Sequence, residues 1–128
     1  MSKLSVQSEG APQAIGPYSQ AVVSGSFVFV SGQIGLDPQS GTLVPGGTEA
    51  ETERVLLNLD AILAAAGASF ADVMRTTIYL VDLGDFARVN EIYARHFAAP
   101  FPARATVGVA ALPRGARVEI DAVARLTR

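Results

Sequence analysis

An α+β fold, with a mixed six-stranded sheet and both helices packed on one of its faces, is predicted by three features of the sequence. β-rich runs and helix-period segments fall in the order β, β, β, α, β, α, β, β. Each helical segment carries one apolar stripe, and no repeat, low-complexity tract or long linker divides the 128 residues. The chain reads as a single domain over residues 1–128, and a hydrophobic content of 49% is enough to build a core.

Residues 21–23 and 27–30 are β-rich runs split by Ser24-Gly25-Ser26, a tight hairpin, and the second run ends at Ser31-Gly32. Asp37-Pro38-Gln39-Ser40-Gly41 is a turn signal. Thr48 and Glu51 fit a capping box for a helix over about 48–66, with Val55, Leu59, Ile62, Leu63 and Ala66 at helical spacing and Gly67 as its stop. Glu49, Glu51 and Glu53 read as a solvated first turn that suits the helix dipole.

Residues 74–81 are apolar on both alternating rows, the pattern of a central strand covered from both sides, and Asp82 and Asp85 read as caps. A second helix over about 85–98 aligns Phe86, Val89, Tyr93 and Phe97 and stops before Pro100. Strands over 104–110 and 117–126, joined through Leu112-Pro113-Arg114-Gly115, are expected to pair antiparallel.

Period-2 alternation then places Ala105, Val107 and Val109 with Val118, Ile120, Ala122 and Ala124 beneath the helices. Arg104, Thr106, Glu119 and Asp121 are expected together on the opposite face. Either Phe27 and Phe29 or Val28 and Val30 must also lie bare there, and such a patch marks an interface. The expectation is a homo-oligomer with a polar pocket between subunits and Arg104 near its floor.

Ten Lys plus Arg against twelve Asp plus Glu gives 10 − 12 = −2, with a pI near 5.3, so no global field gathers nucleic acid. Cysteine is absent and His96 is the single histidine, which excludes thiolate nucleophiles, Cys-rich zinc sites and zinc centres built on two or three imidazoles. The expected chemistry uses no metal and no cofactor. The segment Met1 to Gln7 lacks the apolar region of a signal peptide and no run spans a membrane, so a cytoplasmic protein is expected.

Arg104 offers a planar fork for a small carboxylate, although spacing alone favours an ion pair to Glu119 or Asp121. Glu119 could orient or deprotonate a water once burial lifts its pKa, or form a salt bridge. Tyr18 could supply a phenol or simply pack, and Ser31-Gly32 could present a backbone N–H or end a strand. Asn90 reads as a helix-surface or interface hydrogen-bonding group, and His96 as a solvated residue at a helix C-terminus.

Several strings together resemble the RidA (YjgF) family: Ala14-Ile15-Gly16-Pro17-Tyr18-Ser19-Gln20, Val30-Ser31-Gly32-Gln33-Ile34, Asn58-Leu59, Ala65-Ala66-Gly67, Thr76-Thr77, Asp82-Leu83, Phe86-Ala87-Arg88-Val89-Asn90, Pro102-Ala103-Arg104 and Val118-Glu119-Ile120. The resemblance implies a chorismate-mutase-like fold, a homotrimer with ligand clefts between subunits, and cofactor-free hydrolysis of 2-iminopropanoate and 2-iminobutanoate to 2-keto acids and ammonia. Such a reaction protects against damage by 2-aminoacrylate. The resemblance also implies Arg104 as the carboxylate clamp, Glu119 as the residue holding or activating water, and Tyr18, Ser31, Gly32, Asn90 and Thr106 as substrate-binding positions. Thr106 stands where many relatives carry Cys, so thiol regulation at that position is excluded. Two other readings stay open: a divergent relative acting on another imine, and a carboxylate sensor or translation-associated module.

Overall fold

The first helix is built where the sequence concentrates apolar residues at helical spacing. In this computed structural model, which describes residues 3–127, it is α1, Gly47–Ala65, and it buries Val55, Leu56, Leu59, Ile62 and Leu63. Its end is a Schellman motif in which Gly67 adopts φ +85°, its N–H donates to Ala64 O, and the Ala68 N–H donates to Leu63 O. Its start is not the expected capping box. Gly46 is the cap, Thr48 Oγ1 donates to Asp85 Oδ2 at 2.9 Å, and Glu51 is 3% exposed, accepting the Arg117 backbone N–H at 2.8 Å. The acidic turn is solvated at Glu49 and in part at Glu53, but not at Glu51. Glu49 pairs with Arg88, and Glu53 with Arg95 and His96, so these carboxylates tie α1 to the second helix, α2, Phe86–His96, and to the last strand.

Six strands form one sheet: β1 Leu4–Val6, β2 Ala21–Ser24, β3 Phe27–Gln33, β4 Val73–Leu80, β5 Ala103–Gly108 and β6 Val118–Arg125, in the order β1-β2-β3-β6-β4-β5. β4 and β5 are parallel and every other neighbouring pair is antiparallel, so the sheet is mixed. The hairpin of β2 and β3 turns at Gly25, with φ +60°. Both helices cover one face. Val28 and Val30 of β3, Ile78 and Leu80 of β4, and the row Val118, Ile120, Ala122 and Ala124 of β6 are buried beneath them. No helix among the described residues is long and apolar enough to cross a membrane. The reading of the N-terminal segment falls partly on Met1 and Ser2, outside the described residues.

The expected pairing of the last two strands is corrected. β6 does not pair with β5 but enters between β3 and β4, and β5 takes the outer edge beside β4. The physical reason is burial. The apolar row of β6 is the most completely covered of the two strands, whereas β5 is half-exposed on both rows, so β6 takes the centre. Residues 109–117 need to step over only one strand, two spacings or about 10 Å.

Facing follows from register. Arg104 pairs with Thr76 and Thr106 with Ile78, both buried under the helices, whereas Glu119 pairs with Tyr79 and Asp121 with Thr77 on the opposite face. The predicted common neighbourhood of Arg104, Thr106, Glu119 and Asp121 is therefore split between two faces, and Ala105 and Val107 lie on the open one. Coverage of β4 from both sides is also corrected, because Thr77 and Tyr79 are half-exposed on that open face. The bare pair in β3 is Phe27 and Phe29, 45% and 46% exposed, while Val28 and Val30 are buried.

Candidate active site

Two separate clefts hold the polar groups singled out above. The first lies at the β5 edge, where α2 places Phe86, Asn90 and Tyr93 on one stripe by its i, i+4, i+7 spacing. Arg104 projects toward that stripe. Its guanidinium carbon is 4.9 Å from the Tyr93 ring centroid and 5.5 Å from that of Phe86, and its Nη1 donates to Asn90 Oδ1 at 2.8 Å. Tyr93 is fixed in turn by a buried 2.7 Å hydrogen bond with Thr76 Oγ1, and burial raises its phenol pKa. The ion pair considered for Arg104 is not formed, since no carboxylate lies within 4 Å of it among the described residues. The guanidinium is thus oriented by an amide and two rings, with donors left for an anion. A cleft of about 430 Å³ opens beside it, bounded by Ala94, Phe101 and Pro102.

The second cleft, of about 470 Å³, lies over the end of β3 and the open row of β6. Ser31 and Gly32 of β3 face a single residue of β6, Asp121, because the register slips between Val30 and Gln33. Ser31-Gly32 is thus a bulge inside the strand rather than its end. Glu119 fills the space this creates. A Cβ at position 32 would overlap the Glu119 carboxylate, so glycine is what admits that side chain in its present conformation. Burial first, and the neighbouring Asp121 charge second, raise the Glu119 pKa from its ordinary value. Asp121 is itself engaged, accepting a hydrogen bond from Tyr79 Oη at 2.9 Å. Glu119 forms no salt bridge among the described residues.

The loop over residues 12–20 forms the cleft wall and presents Ile15, 82% exposed, and Tyr18, half-exposed. It is held by Gln20, to which sequence reasoning assigned no role, and by Ser31. Gln20 is buried, accepts the Ser8 N–H at 2.6 Å and donates to Ser8 O and Pro12 O at 3.1 and 2.7 Å. Ser31 Oγ donates to Ser19 O at 2.6 Å. Asn58 performs the same task for the segment after β3, donating to Ile34 O and Leu36 O. The signal for these is a buried amide inside a motif string, which demands backbone partners.

Of the predicted site residues, Arg104 and Asn90 meet at the first cleft, and Tyr18, Ser31, Gly32 and Glu119 at the second. Thr106 lies two residues along the helix-side row from Arg104 and lines neither cleft. His96 belongs to neither. It is mostly buried rather than solvated, 3.1 Å from Glu53 Oε1 and edge-on to Phe70.

The sequence profile of the endoribonuclease L-PSP family matches residues 8–126. The chain is 57% identical over 114 residues to a 2-iminobutanoate/2-iminopropanoate deaminase of Mus musculus, covering 89% of this chain and 84% of that protein. The crystal structure of RidA from an Antarctic Psychrobacter superposes with a TM-score of 0.93 at 45% identity, over 96% of this chain and 99% of that one. That of Escherichia coli TdcF with bound serine superposes with a TM-score of 0.91 at 41% identity, over 97% and 99%.

Proposed function

The chain belongs to the endoribonuclease L-PSP family, the RidA (YjgF) family of the resemblance, and from that premise we infer that it hydrolyses 2-iminopropanoate and 2-iminobutanoate to 2-keto acids and ammonia. The single observation that carries the mechanism is the division of the polar groups into two half-clefts on opposite faces of one sheet. Each lacks what the other holds. Arg104 can grip a carboxylate but has no carboxylate base beside it, and in the partly desolvated cleft of Glu119 the lining cation, Arg114, is tied to Gly41 O.

A homotrimer resolves this by bringing the Arg104 cleft of one subunit against the Glu119 cleft of the next, giving three composite sites. The bare Phe27 and Phe29 on the open face support such an interface. In the composite site Arg104 binds the substrate carboxylate with two parallel hydrogen bonds and Asn90 keeps the guanidinium aimed. Glu119 holds a water against the imine carbon. The water oxygen bonds to that carbon, its proton passes by way of Glu119 to the nitrogen, and the resulting carbinolamine expels ammonia to leave the keto acid. The imine carbon is already electrophilic, so the reaction needs only placement and proton relay. Tyr18, Ser31 and Gly32 shape the pocket, and the cytoplasm, where imines are released by pyridoxal-phosphate enzymes, is the expected place of action.

The test is hydrolysis of 2-iminobutanoate generated by a threonine dehydratase, with semicarbazide trapping surviving imine. Wild type should suppress trapping, and Arg104→Ala should lose about 100-fold or more in activity, the roughly 3 kcal/mol of a truncated charge-assisted contact, while remaining folded. Trapping unaffected by wild type would overturn the reading, and full activity in Arg104→Ala would remove the clamp.

A further inference from the structure

Arg114 is the feature of the second cleft that the reaction as described does not use. Its backbone lies at φ +62°, the left-handed region, and it is the one non-glycine residue with positive φ among the described residues. Arginine there carries a steric cost that glycine would avoid, and such a conformation persists only where its surroundings hold it. Pro113 and Gly115, at φ +73°, flank it, and its Nη2 donates to Gly41 O at 2.7 Å, pinning the 113–115 turn to the loop after β3. That bond uses one donor of the fork. No carboxylate lies within 4 Å of it among the described residues.

Its position gives those free donors a use. Arg114 lines the Glu119 cleft and also an adjoining cleft of about 440 Å³ that runs toward Pro38 and Gly41, with Pro12, Gln13, Ile15 and Leu36 common to both. The groove therefore continues past Glu119, and a four-carbon imino acid occupies only part of it, since clefts of about 300–1,000 Å³ hold far larger ligands. Given the reading of this cleft as the reaction site, the substrate lies with one cation, Arg104 of the adjoining subunit, at its α-carboxylate, and Glu119 at its reacting carbon. Arg114 stands as a second cation farther along.

We propose that Arg114 is a specificity-determining residue whose guanidinium receives an anionic group at the far end of the substrate side chain, so that 2-imino dicarboxylates belong to the substrate class of this enzyme. The inference rests on the proposed deaminase site and extends it. The experiment compares kcat/KM for 2-iminobutanoate and for 2-iminoglutarate, the latter formed in place by an oxidase acting on glutamate, with semicarbazide trapping as readout. Wild type is measured beside Arg114→Gln and Arg114→Gly, the second of which suits the left-handed backbone and keeps the turn. Wild type should hydrolyse both imines, and in both variants the dicarboxylate should lose about tenfold more than 2-iminobutanoate. Parallel loss of both substrates, or an unchanged ratio, would make Arg114 a scaffold and overturn the proposal. So would a wild type that hydrolyses 2-iminobutanoate alone, which leaves the deaminase reading intact; a wild type inactive on both imines sinks the two together.

Discussion

The two clefts solve opposite problems with opposite means. At the first, a charge that must stay available is held in place by added matter: two aromatic rings, an amide and the buried Thr76–Tyr93 bond behind them. At the second, the carboxylate proposed to move a proton is accommodated by missing matter, a glycine at a bulge, and its partial burial raises its pKa. One cleft is built by packing and the other by vacancy. The first cleft thereby aims a cation, while the second raises the pKa of an acid.

Mixing the halves is the strongest way to break this comparison. Arg104→Ala and Glu119→Gln should each be inactive, but co-refolded at equal ratio they should recover about a quarter of wild-type activity, the share of interfaces that combine both intact halves. No recovery in the imine assay would mean that both groups act from one chain. A smaller effect sharpens the vacancy. Gly32→Ala should fold normally, because the flexible end of Glu119 can swing aside, yet displacing that carboxylate by about 1 Å should cost about 100-fold in kcat. An active Gly32→Ala would detach Glu119 from catalysis.

The smallest effect concerns stability. Because the folded chain raises the Glu119 pKa, the protonated group is favoured by folding, and this contribution is present below the ordinary carboxylate pKa and lost as pH rises through the raised value. Glu119→Gln should therefore match wild type below about pH 4 and exceed it at pH 7 by less than about 1 kcal/mol, given the solvent exposure of the site. Thermal melts at both pH values check the sign. A variant less stable at pH 7 would reverse the account.

Much of this architecture was legible, and the failures have definite causes. The α1 and α2 stripes, the Gly25 turn and the buried row of β6 followed from periodicity, which records what a residue faces. Strand order did not follow, because six residues between two β runs suggest a hairpin, whereas α2 between β4 and β5 makes them a parallel pair and leaves the centre for β6. The facing of Arg104 fails for a separate reason: alternation puts the apolar row Ala105, Val107 and Val109 beneath the helices, whereas on this edge strand Ala105 and Val107 lie on the open face. The motif strings grouped the candidate site residues, but alternation alone could not tell that the structure divides them between two clefts. Glu51 was read as solvated because a carboxylate in a first helical turn ordinarily is, and only the tertiary structure brings the Arg117 amide to it.

The central placement of β6 has a consequence for how the chain comes to life on the ribosome. The β1-β2-β3 meander and the β4-β5 pair share no ladder until residues 118–125 have emerged, so the sheet stays as two halves with open edges until then. The core can close only once β6 has been made. Folding is thereby a late, long-range event, and the nascent chain depends on that one closing strand to hide the edges at which it would otherwise aggregate.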